Sequence, residues 1–108
     1  MKKIYLRFKE FELGFLMQED NKYVWIPDSR TIDLCFQKYD GVRDMFFLNS
    51  IEKEVYKQIP HHFEDFFMAI GRVDLIEMAK IKSTDSDFEK LYKVASLKYF
   101  NQDFYITI

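Results

Sequence analysis

Ile4-Tyr5-Leu6-Arg7-Phe8, Phe11-Glu12-Leu13-Gly14-Phe15-Leu16 and Tyr23-Val24-Trp25-Ile26-Pro27 are the stretches that decide the fold class. In the first, Ile4, Leu6 and Phe8 alternate with Tyr5 and Arg7. That period of two puts the apolar set on one face of a strand. The pattern resumes after Lys9-Glu10 at Phe11, Leu13 and Phe15, and Gly14 within it marks a bulge or a close backbone approach. Gln18-Glu19-Asp20-Asn21-Lys22 is a polar turn, and the β-forming run behind it stops at Pro27, which has no backbone donor. The first 27 residues therefore read as a three-stranded antiparallel meander.

Beyond Pro27 the period lengthens. Asp28 or Ser29 can cap a helix carrying Ile32, Cys35, Phe36 and Tyr39, closed by Asp40-Gly41. Residues 42–60 fit two patterns. Met45-Phe46-Phe47-Leu48 suits a short strand or a buried helical turn, while Ile51, Val55 and Ile59 recur at four-residue spacing until Pro60. Phe63, Phe66, Phe67 and Ile70 form a helical stripe ended by Gly71, and Val73, Ile76 and Ala79 begin a short helix running to about Ile81. Ser86-Asp87-Phe88-Glu89 is a capping-box pattern ahead of a buried face of Phe88, Leu91, Tyr92 and Ala95. The tail from Asp103 to Ile108 alternates again and returns as a strand. The expected fold is a single α+β domain over residues 1–108, with a small antiparallel sheet packed against several short helices.

Composition narrows the function classes. Hydrophobic residues make up 48% of the 108, enough for a core without disulfides or a structural metal. Twelve Phe, seven Tyr and one Trp are hard to hide in so small a body, so some rings should reach the surface, where aromatics favour partner contacts. Sixteen basic residues face eighteen acidic ones, a balance that disfavours nucleic-acid binding. One cysteine, Cys35, fits a reducing compartment, and the apolar run a signal peptide needs is broken by Arg7, Lys9 and Glu10. A cytoplasmic protein with no membrane span is expected.

None of the chemistry-bearing residues assembles into a catalytic pattern. His61 and His62 are adjacent, so on a helix they point about 100° apart, and exposed first-turn residues are the simpler reading than metal ligands. Cys35 lies on an apolar stripe with Ile32 and Phe36, which suits a small buried hydrophobe better than a nucleophile. Asp85 and Asp87, even joined by Asp28 and Asp33, lack the spacing and central glycine of a calcium loop, and capping explains them. No cofactor, metal or enzymatic activity is expected. Tyr5, Tyr23 and Trp25 on one sheet face would suit base stacking, but the basic-Gly-aromatic RNA signature is absent. The expected function is protein binding. Trp25, Phe63, Phe67 and Arg72 are the expected anchors, because aromatics and arginine dominate interface hot spots, where truncating one costs at least ~2 kcal/mol.

The order of these pieces resembles the N-terminal subdomain of HipA-type kinases. The resemblance rests on a first strand, then Phe11-Glu12-Leu13-Gly14-Phe15-Leu16, then Asn21-Lys22-Tyr23-Val24-Trp25-Ile26-Pro27-Asp28. It continues through Phe63-Glu64-Asp65-Phe66-Phe67, Arg72-Val73-Asp74-Leu75-Ile76 and Asp87-Phe88-Glu89-Lys90-Leu91-Tyr92. It implies a free-standing, HipS-like component of a tripartite toxin–antitoxin system. Such a component docks on a HipA-type serine/threonine kinase toxin and restrains it, alongside a helix-turn-helix DNA-binding protein. Two other functions suit the same composition: a phage-encoded inhibitor of a bacterial defence nuclease, and an RNA-binding domain. Growth assays separate the first, since a nuclease inhibitor restores phage growth whereas an antitoxin rescues cells from one kinase.

Overall fold

The computed structural model describes residues 2–39, 53–68, 73–101 and 103–108. Among these residues six strands form one antiparallel sheet: β1 (Ile4–Phe8), β2 (Phe11–Glu19), β3 (Lys22–Pro27), β4 (Glu54–Tyr56), β5 (Tyr99–Asn101) and β6 (Phe104–Thr107). Among the described residues four helices accompany them: α1 (Ser29–Lys38), α2 (His61–Met68), α3 (Val73–Ala79) and α4 (Asp87–Ser96). The strands lie in the order β4-β3-β2-β1-β6-β5, so the expected meander sits at the centre. The returning C-terminal strand pairs with β1, and β5 joins it from outside. The α+β expectation holds.

Local chemistry accounts for the turns. β2 runs on to Glu19, and the hairpin to β3 is made by Asp20 and Asn21 alone, both with positive φ. Asn and Asp tolerate that region, and two such residues give the turn whose twist suits paired strands. Gly14 sits at φ +151° where the register shifts: Leu6 pairs with Gly14 and Arg7 with Glu12, leaving Leu13 extra. This bulge changes the expected facing of β2. Instead of sharing a face with Phe11 and Leu13, Phe15 pairs with Tyr5 on the opposite side, while Leu13 and Leu16 are buried. One inserted residue reverses every side chain beyond it.

The helices cover the face bearing Ile4, Leu6 and Phe8. Leu13, Leu16, Trp25, Ile32, Cys35, Phe63, Leu91, Val94 and Ile106 join them in one core. Asp28 is the N-cap of α1, accepting from the Thr31 backbone N–H at 3.1 Å, and Ile32 and Cys35 are its buried residues. Ser86 caps α4 by accepting from the Glu89 N–H at 3.2 Å. The reciprocal half of the capping box is replaced: the Glu89 carboxylate takes Lys2 Nζ at 2.8 Å. On α4 the inward positions are Phe88, Leu91, Val94 and Ala95, with Tyr92 only half-buried. Between Ile51 and Ile59 the four-residue spacing is not helical where described, since residues 54–56 pair with β3 as a strand. Residues 40–52, and the Ile70 and Gly71 assigned to the end of the second helix, lie outside the described residues.

Two polar clusters fasten loops to this frame. Lys93 Nζ reaches the Asp85 carboxylate at 2.6 Å and the Lys80 carbonyl at 3.1 Å, and Asp85 also accepts from the Lys82 N–H, which ties the loop before α4 to the helix. At the other end of the sheet, Glu10 in the β1–β2 turn accepts from Lys38 Nζ and from the Tyr39 hydroxyl at 2.9 Å. The Lys38 hydrogen bond, then the backbone amide of Glu10 itself and Tyr39, hold this carboxyl down to about 2. Asp85 is depressed too, first by Lys93 and then by the Lys82 amide. A carboxylate depressed on folding adds stability above its unfolded value, about 4.3 for Glu, and that stability is lost as pH falls towards the folded value. The urea midpoint should therefore fall between pH 4.3 and 2, and Glu10→Gln should flatten part of that decline. Because Glu10 is exposed, the difference between variant and wild type should shrink in high salt. An equal acid slope in both proteins would remove Glu10 from the account.

Candidate partner-binding site

Two of the expected anchors are core residues. Trp25 and Phe63 are each 0% exposed and meet edge-to-face, with ring centroids 5.6 Å apart. Their burial follows from the alternation of β3: Tyr23 and Trp25 point towards the helices, and α2, which starts where the Pro60 carbonyl accepts from the Phe63 N–H, lays Phe63 and Phe66 over them. Hot-spot statistics carry composition but not direction, and here direction decides. Phe67 is on α2 with its side chain outside the described residues, and Arg72 also lies outside them. The structure thus brings Trp25 and Phe63 together, but inside the molecule.

The same geometry corrects the stacking platform. Tyr23 and Trp25 face the core, whereas Tyr5 faces the other way, so the three do not share a face. His62 is not an exposed first-turn residue. It is half-buried, with its ring 4.5 Å from Trp25 and 4.9 Å from Phe63. Cys35 is buried, and burial, then Glu10, push its thiol pKa up, away from the thiolate a nucleophile needs. Among the described residues no group of three His, Cys, Asp or Glu side chains could hold a metal ion, and no helix is long and apolar enough to cross a membrane.

What the sequence reading missed lies on the face turned away from the helices. Tyr5 and Phe15, cross-strand partners, place their rings 5.7 Å apart. Arg7 stands 5.7 Å from the Tyr5 ring, is held by Glu12 at 2.8 Å and donates to the Thr107 hydroxyl at 3.1 Å. Lys3 lies 4.5 Å above Phe15, and Lys98 lies 5.3 Å from the Tyr105 ring. Tyr105 pairs with Arg7 and donates to the Lys9 carbonyl at 2.7 Å. The result is a half-buried aromatic surface with cations set over its rings. At the end of the sheet where β1 begins, Lys2, Lys3, Tyr5, Tyr92 and Ile108 line an open groove of about 460 Å³. The alternation of Ile4 to Phe8 foretold that Tyr5 and Arg7 share this face. Nothing in a linear reading could place Tyr92 or Ile108 beside Lys2.

Comparison with protein-family models, with curated proteins and with solved structures finds no match for this chain.

Proposed function

We propose that this chain is a non-catalytic protein-binding module, and that its partner is a HipA-type serine/threonine kinase which it docks on and restrains. The observation that supports binding is the aromatic and cationic sheet face of Tyr5, Phe15, Arg7, Lys3, Tyr105 and Lys98, which lies opposite the helices. Rings held by neighbouring rings and cations lose little freedom when a partner lands on them. The partner's identity rests on the resemblance in residue order, and a helix-turn-helix DNA-binding protein belongs to the same reading as the third component. Restraint would work by occlusion, holding the kinase N-lobe away from its closed, phosphoryl-transferring state.

The test mixes the purified chain with a HipA-type kinase that lacks its own N-terminal subdomain. A stable complex on size exclusion, with loss of kinase autophosphorylation, is the expected result. A specific complex should bury at least about 1,200 Å² in total. No complex and unchanged autophosphorylation would sink the kinase assignment.

A further inference from the structure

We infer that the groove at the start of β1 receives an acidic peptide segment of the partner, with an apolar side chain set against the tyrosine rings and a carboxylate on Lys3. This rests on the reading of the chain as a protein-binding module and names the site and the partner's chemistry. The groove supplies both halves of such recognition. Lys3 gives an ammonium group, Lys2 is already paired with Glu89, Tyr5 and Tyr92 give aromatic walls, and Ile108, 53% exposed, gives an aliphatic rim.

The parts are fixed in advance. Tyr5 is braced by Phe15 and Arg7, and Tyr92 stacks on buried Phe88 at 6.4 Å with a 26° interplanar angle. Lys2 is anchored to Glu89 and lies 5.0 Å from the Tyr92 ring. Lys3 contacts the Phe15 ring and has no ion pair among the described residues, so its charge is available to an incoming carboxylate. Charge complementarity selects an acidic occupant.

The same geometry disfavours a nucleic acid. A phosphate backbone is held by several cations along a track, and affinity grows with the number neutralised. Here Arg7 is already taken by Glu12 and Lys2 by Glu89, which leaves no track of free cations among the groove's described residues. One uncommitted lysine beside two rings fits a carboxylate followed by an apolar side chain better than a run of phosphates.

The experiment is a ¹⁵N-resolved NMR titration of the full chain with a synthetic octapeptide of alternating glutamate and phenylalanine, and separately with decauridine. The expected result is amide shifts centred on Lys2, Lys3, Tyr5, Tyr92 and Ile108 with the peptide, and binding at least tenfold weaker in Lys3→Glu. Lys3→Gln should fall between, and both variants should keep the wild-type spectrum elsewhere. Peptide shifts centred elsewhere, no shifts, or undiminished binding by Lys3→Glu would each overturn the groove, as would decauridine shifting the same amides with steep salt dependence. Kinase capture by wild type and Lys3→Glu alike would also overturn it while leaving the protein-binding reading intact. Peptide binding as expected, with no kinase captured, would support the groove and remove the kinase.

Discussion

Gly14→Ala is expected to destabilise the protein by about 3 kcal/mol, from ~1–3 kcal/mol of backbone strain and a similar overpacking cost. A Cβ at this position would lie 2.5 Å from the Ile26 carbonyl oxygen, 2.8 Å from Pro27 Cα and 2.8 Å from Cη2 of Trp25. Two of those atoms are backbone of the neighbouring strand, and the third belongs to a fully buried indole. None can yield cheaply. The φ of +151° adds a conformation that alanine rarely adopts. The melting temperature should drop by roughly 10–25 °C for a domain of this size. Urea unfolding followed by fluorescence of the one tryptophan measures it. A loss below about 1 kcal/mol would mean that the bulge relaxes and that Gly14 is not sterically required.

Trp25→Ala is the second large effect, about 3–5 kcal/mol, since truncating a buried aromatic removes its transfer free energy and leaves a cavity. Phe63→Ala should cost about as much, because the two rings pack on each other in the same core. Circular dichroism is the readout for Trp25→Ala, which lacks the fluorophore. Any weakening of partner binding in these variants should track the unfolded fraction and vanish when the protein is fully folded at low temperature. A Trp25→Ala protein as stable as wild type but unable to bind would restore the anchor role that burial removes.

These two positions mark how far the sequence could be read. The period of two in β1, the β-forming run of β3 with its stop at Pro27 and the cap at Ser86 are local signals, and local signals survive into the structure. The strand at residues 54–56 was not readable. Val55 is 58% exposed in an edge strand of three residues, so it owes its conformation to pairing with Val24 rather than to its own pattern. The facing of Phe15 was hidden for a related reason. Gly14 signalled a bulge, but which neighbours it would turn over depends on the register against β1. The candidate site was the least legible. Large aromatics suggested contacts, yet the largest went inward, and the groove is assembled from residues at opposite ends of the chain.

That β1 lies between β2 and β6 has a consequence for how the molecule is made. On the ribosome β1 emerges ahead of β2 and β3, which can zip onto it through two tight hairpins while the residues behind them are still being synthesised. Its other edge must wait for residues 104–107, roughly a hundred residues later in the chain. Until then Ile4, Leu6 and Phe8 lack α4 and β6, and one whole edge of the nascent hairpin is open to any passing strand. Closing so long a loop is entropically slow, so the pairing of β6 with β1 is expected to follow that of β1 with β2. The β1–β6 seam thus joins segments far apart in the chain: a copy cut short before residue 104 would present a sticky, unfinished edge for proteases and chaperones to find.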